Sequence, residues 1–153
     1  MMVQEILITY LHFLGFISIF VSIAIEKVLF KKELTVRDAN TIRIFDAIYG
    51  LAAVVMLATG FAKMNWFGKG MDYYMHNHIF WTKILLFSIV GILSVYPTVT
   101  FFKWKKVIAK NESISLSDGQ FKLISRILTA EIILMILIPL CAHFMARGFG
   151  YVN

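Results

Sequence analysis

The sequence predicts an all-α fold, an integral membrane four-helix bundle, and three observations predict it. Of the 153 residues, 59% are hydrophobic and 16% charged, a composition too apolar for a water-soluble domain of this length. Four apolar stretches, residues 6–25, 44–62, 79–102 and 123–146, each reach the roughly 20 residues needed to cross a hydrocarbon core about 30 Å thick. Backbone polar groups in lipid must be satisfied within their own segment, so each stretch is expected to be a helix and the four to close as one transmembrane domain over residues 1–153.

The opening "MMVQEILITY" lacks the basic region of a secretory signal, and the apolar run behind it is long enough to span, so residues 6–25 are expected to be a retained first helix. Residues seven apart share a helix face, which places Glu5, His12, Gly15, Ser22 and Glu26 in one stripe turned toward the interior. In the second helix, Asp46, Gly50, Ala53 and Gly60 make a face of small residues that permits close helix approach. The connection "KMNWFGKGMDYYMHNH" carries turn glycines and the interfacial aromatics Trp66, Tyr73 and Tyr74, and is expected to fold over the outer mouth of the bundle. The third helix carries Lys83, seven residues from His76 and so on its face, with Ser94 continuing that face. The third connection is basic and then serine-rich, with a short amphipathic piece, and the fourth helix holds Glu131, Cys141 and His143. A single cysteine forms no internal disulfide, and Cys141 is expected to be a small buried side chain.

Orientation follows from the cations. Lys27, Lys31, Lys32, Arg37 and Arg43 flank the first connection and Lys103, Lys105, Lys106, Lys110, Lys122 and Arg126 the third, so eleven of fifteen basic residues lie at one end. The positive-inside rule makes that end cytoplasmic, with both termini periplasmic in a bacterial inner membrane. The net charge of +6 is therefore a topological signal meeting lipid head groups, and nucleic acid is not expected as a partner.

The ionisable residues fall into two layers. His12 lies seven residues past Glu5, roughly 10 Å below the outer end of its helix, and Lys83 lies five past His78, roughly 7 Å below the outer end of its own. His143 precedes Arg147 by one turn, and His76 and His78 stand at the mouth, so all four histidines share the outer layer with the one intramembrane lysine. Neutral imidazole ligates iron, copper and zinc, and a lysine that gives up its proton offers an amine lone pair, so haem iron held between helices needs only two of these groups. The other layer holds Glu26, Arg43, Asp46, Arg126 and Glu131. They are expected to form a buried ion network that fixes packing, or alternatively a proton route in which Asp46 and Glu131 take part. No nucleophile with its base, phosphate-cradling loop or spaced zinc signature is present, and "HNH" at residues 76–78 is not a nuclease motif.

"DAIYGLAAVVMLATG", "GKGMDYYMHNHIFWTK" and "SVYPTVTFFKW" resemble the pattern of a bacterial family of predicted four-helix membrane proteins of unknown function. More distantly, "YLHFLG" and "FWTKILLF" are similar to motifs of the HemJ-type protoporphyrinogen oxidases, small four-helix membrane proteins in which a first-helix histidine and a third-helix lysine bind haem. That resemblance implies haem b on His12 and Lys83, with His76 as substitute ligand, and a porphyrin-type substrate for a redox reaction. Lys69, Tyr73 and Arg147 are placed to meet the haem propionates. Two other readings stay open: a metal-ion binder or transporter using His76, His78 and His143, and a non-catalytic bundle that assembles with partners through Gly50, Ala53 and Gly60. A homodimer is expected in either redox or structural form.

Overall fold

Capping chemistry, rather than hydrophobicity, sets where the helices begin. In the computed structural model, which describes residues 2–152, α1 runs over Met2–Leu29, α2 over Val36–Ala62, α3 over Met71–Met75, α4 over His78–Lys103, α5 over Lys105–Ile108 and α6 over Asp118–Ala146. Thr35, Asn77 and Ser117 cap α2, α4 and α6, their side chains accepting from the backbone N–H groups of Asp38 at 3.1 Å, Phe80 at 3.1 Å and Gln120 at 3.3 Å. The caps of α2 and α6 lie a turn or two ahead of the apolar stretches, so the observed helices begin earlier than residues 44 and 123. Four helical segments are long and apolar enough to cross a membrane: Met2–Leu29, Val36–Phe67, His78–Ile108 and Asp118–Ala146.

The four pack as a bundle, α1 mainly against α2, α4 mainly against α6, with α1 also on α6 and the α2–α4 seam the loosest of these. The seam of α1 and α2 closes at Gly15, where an added Cβ would sit 3.0 Å from Met56 Cγ and 3.4 Å from the Ala52 carbonyl. The small-residue face expected at Gly50, Ala53 and Gly60 does not make this approach: Gly50 is exposed with open space around it, and Gly60 touches His12 instead. The core runs along the axis through Ile19, Ile23, Ala52, Met56, Leu128, Met135 and Ile138, while Ile6, Leu51, Leu57, Ile92, Ile133 and Ile136 turn apolar surface outward, as a lipid solvent favours.

At the end carrying the first and third connections, here the basic end, two short strands appear that the sequence did not suggest. Residues of β1 (Glu33–Leu34) pair antiparallel with β2 (Ile114–Ser115), Glu33 opposite Ser115 and Leu34 opposite Ile114. Leu34, Ile114 and Leu116 are buried beneath them, against a knot of Phe30, Phe101, Trp104 and Phe121. Lys32 meets Asp118 at 2.8 Å, and the hydrogen bond and charge of that carboxylate raise the lysine pKa, but both groups are exposed and the pair adds little to stability.

At the opposite end, α2 continues as a π-helical turn over Lys63–Phe67 and stops at Gly68. A Cβ at Gly68 would collide with the Tyr74 hydroxyl and lie 2.5 Å from the Lys63 carbonyl, so the buried Tyr74 of α3 fits only against a glycine. Tyr73 donates to the Met145 carbonyl at 2.7 Å and stacks on Tyr151 at 5.3 Å. The C-terminal residues are strapped down in turn: His78 N–H donates to the Gly150 carbonyl at 2.9 Å and Val152 N–H to the His76 carbonyl at 3.1 Å. Asn77 joins these parts, since its Oδ1 caps α4 and its Nδ2 donates to the Phe149 carbonyl at 3.0 Å while the residue is fully buried. Asn77→Ala removes both bonds, uncaps α4 and leaves the buried Phe80 N–H without its partner, so it is expected to lower the unfolding free energy by about 2 kcal/mol. A detergent-unfolding titration reads this, and an unchanged midpoint would mean that the strap contributes nothing.

Candidate functional site

Two clusters of polar side chains lie inside the bundle, and a layer of apolar side chains separates them. The first is nearer the strapped end. His12, half-buried on α1, faces Gly60, whose missing side chain leaves room for the imidazole: an added Cβ would lie 3.3 Å from His12 Cε1. Its Nδ1 is 2.9 Å from Thr59 Oγ1. The Thr59 hydroxyl also reaches the Val55 carbonyl at 2.6 Å and the Met56 carbonyl at 3.2 Å; with its proton on either carbonyl, its oxygen accepts from His12 Nδ1–H. That arrangement puts the lone pair on Nε2, which has no hydrogen-bond partner among the described residues.

Lys83, on the second turn of α4, is half-buried within electrostatic reach of His12, with Lys63 and Cys141 also close to it. Its Nζ sits over the Phe80 ring, 5.5 Å from the centroid, and makes no hydrogen bond among the described residues. The structure thus places Lys83 within electrostatic reach of His12 and adds Thr59, which the sequence reading missed. Threonine in an apolar helix ordinarily bonds its own backbone, as Thr59 also does, so its type alone gave no signal; its place beside Gly60 was the available clue.

The remaining outer-layer residues do not join this pair. His76 and Lys83 do not share a helix face, because α3 ends at His76 and α4 starts afresh after the Asn77 cap, which breaks the seven-residue register. His76 is exposed, its Nδ1–H donating to the Asp72 carbonyl at 3.0 Å and facing the Asp72 carboxylate at 3.2 Å. His78 and His143 are exposed as well, and no group of three or more His, Cys, Asp or Glu side chains is placed to hold a metal ion among the described residues. Lys69 donates to Tyr73 at 3.3 Å and to the Ala146 carbonyl at 3.4 Å, so Lys69 and Tyr73 serve the C-terminal end of α6, where Arg147 is its exposed cap. Cys141 is half-buried and free.

The second cluster lines a narrow cavity in the half nearer the basic end, formed by Ile23 and Glu26 of α1, Asp46 and Tyr49 of α2, Ser94, Pro97 and Thr98 of α4, and Glu131 of α6. Thr98 donates to Asp46 Oδ1 at 2.6 Å across the α2–α4 seam. Glu26 and Glu131 are 3% and 1% exposed, and Oε1 of each lacks a hydrogen-bond partner, as does Oγ of Ser22 one turn from Glu26. The expected ion network does not form: Arg126 is exposed, Arg43 reaches only Asn40 at 3.5 Å, and no salt bridge joins either to a carboxylate among the described residues. Guanidiniums at the head-group level keep their hydration by pointing outward. Ser22 and His12 are ten residues apart on α1, about 15 Å along the axis, and the space between is filled by Gly15, Ile19, Ala52, Met56 and Met135. No chain of side-chain hydrogen bonds links the carboxylates to His12 among the described residues. Tyr49 and Thr98 escaped the sequence reading, although spacings of three from Asp46 and four from Ser94 place each on the face of a polar neighbour.

A family model described as "Predicted membrane protein (DUF2214)" matches residues 4–150. No curated protein and no solved structure matches the chain.

Proposed function

The chain belongs to the DUF2214 family of predicted membrane proteins, and we propose that it is a haem-binding inner-membrane protein with a redox role, in which His12 Nε2 and Lys83 Nζ would hold the iron. The observation that carries this reading is the contact of His12 Nδ1 with Thr59 Oγ1, which orients the imidazole and leaves Nε2 without a partner, in the same layer as a lysine whose Nζ makes no hydrogen bond among the described residues. Ligating histidines characteristically donate their second ring N–H to such a partner, which orients the ring and raises its basicity. The donor set is of the kind that holds haem iron; bound there, haem b would supply one-electron chemistry at a potential set by its ligands and burial.

The chain's own residues do the rest. Gly60 keeps the wall beside the imidazole low, Thr59 fixes its orientation, and Phe80 covers the lysine. A porphyrin-type substrate is the finer form of this reading, and it rests only on the resemblance of the short stretches "YLHFLG" and "FWTKILLF" to HemJ-type motifs. The basic end faces the cytoplasm in this assignment, on the strength of its lysines and arginines, which puts His12 and Lys83 nearer the periplasmic side.

Detergent-purified protein reconstituted with haem, its spectrum recorded oxidised and after dithionite, tests the proposal. A Soret band that sharpens and shifts on reduction is expected, and Lys83→Ala is expected to retain haem with a shifted band, because one axial donor has changed. Haem that stays spectrally unbound when supplied in excess of protein would overturn the reading.

A further inference from the structure

The carboxyl cavity stands apart from the His12 layer and calls for its own ligand. Side chains lean toward the N-terminus of their helix, and α1 and α6 run in opposite directions, so Glu26 and Glu131 lean toward one another from the two sides of the cavity. The charged or titratable groups that face them are Asp46 and Tyr49 of α2; α4 contributes only the neutral Ser94 and Thr98. Arg43 lies within electrostatic reach of Asp46 without pairing to it, and Lys27, next to Glu26, is turned away to the Ser125 carbonyl and hydroxyl at 2.8 and 2.7 Å. No cation among the described residues therefore balances the two buried glutamates.

Such an arrangement is costly as it stands. An ionised carboxylate shut away from water without donors is strongly disfavoured, and two facing each other more so. Something must complete the site, and its size is constrained: the walls leave no clear room for a water molecule in this conformation, and the side chains are not grouped to close on a metal ion. A proton needs no volume. It removes the charge that burial disfavours and turns an unpartnered Oε1 into a donor toward the other carboxyls lining the cavity.

We infer that Glu26 and Glu131 form a proton-binding pair inside the membrane span, with Asp46 as the group through which the proton exchanges with the basic end. Asp46 suits that part because it is only half-buried, sits at the loosest helix seam, and is held there by a neutral donor, Thr98, that leaves its second oxygen free. Pro97, buried in the same wall, withholds its backbone donor from the Leu93 carbonyl, a ready-made irregularity at which α4 can yield. The apolar layer of Ile19, Met56 and Met135 closes the cavity toward His12, so the pair loads and unloads from one side. This inference rests on residues other than the haem donors and holds with or without haem.

The full-length protein in detergent, treated at neutral pH with dicyclohexylcarbodiimide, tests it, since that reagent modifies protonated carboxyls in apolar surroundings. Peptide mass spectrometry is expected to place the adduct on Glu26 or Glu131, and Glu131→Gln with Glu26→Gln to abolish it. In parallel, the infrared C=O stretch of a protonated carboxyl is expected to vanish reversibly as the pH is raised, a change that a merely structural acid pair would not show. Labelling elsewhere or nowhere, or a carboxyl band indifferent to pH, would overturn the inference. Labelling slowed by sodium at fixed pH would overturn it too, by replacing the proton with a cation. The wild-type labelling site and titration need no variant, so misfolding of a glutamine variant leaves the test intact.

Discussion

Phe101→Ala is expected to lower the free energy of unfolding by about 3–5 kcal/mol. Phe101 is fully buried in the last turns of α4, its ring 4.8 Å from Trp104 and 6.0 Å from Phe30 between centroids. Phe30 in turn stacks on Phe121 at 5.7 Å and on Trp104 at 6.5 Å. The knot thus ties the end of α1, the end of α4 and the first turn of α6, directly beneath the paired strands β1 and β2. Collapse into the space left by the ring is hindered, because neighbouring rings are rigid and the strand pairing holds the two connections over them. The cost should therefore fall toward the cavity-limited end of the range. Phe102→Ala is the internal control: that ring is 71% exposed and faces lipid, so its truncation is expected to change stability by no more than about 0.5 kcal/mol. Detergent-unfolding midpoints of the two variants should differ widely; equal midpoints would mean that the knot is not a core.

The contrast between these neighbours also marks what a sequence of this kind reveals. Hydrophobic length is a strong signal in lipid, so all four spans were legible and with them the bundle. The inward stripe of α1 was legible for the same reason: Gly15, Ser22 and Glu26 are buried as their spacing requires, and only Glu5, near the start of the helix, is exposed. What resisted reading were contacts between segments distant in the chain. The pairing of residues 33–34 with 114–115 has no local pattern, and nothing near Asn77 announces that it will cap one helix and hold the C-terminal strap at once. Register was lost at the same place, since a seven-residue spacing from His76 to Lys83 means a shared face only if no helix ends between them. The basic residues near the carboxylates misled for a physical reason: opposite charges near a membrane surface do not pair when the cation keeps its water by pointing outward.

His12→Ala is expected to abolish the Soret band of the reconstituted protein, and Thr59→Val to weaken haem binding by about 10–100-fold without abolishing it. The two effects differ because the two side chains act differently. In the proposed site His12 would supply the donor atom itself, and alanine would leave Lys83 as the one remaining donor. Thr59 supplies an acceptor for Nδ1–H, and valine keeps its shape while removing the oxygen. The imidazole then loses its orientation, and a half-buried N–H is left without a partner whenever Nε2 is committed to a ligand. Thr59→Ser restores the oxygen with little change of volume, so near wild-type affinity is expected for it. Haem titrations of the three variants against wild type, followed at the Soret maximum, separate orientation from packing. If valine and serine bind haem equally well, the Thr59 bond does not set the ligand geometry, and the tautomer argument for His12 falls with it.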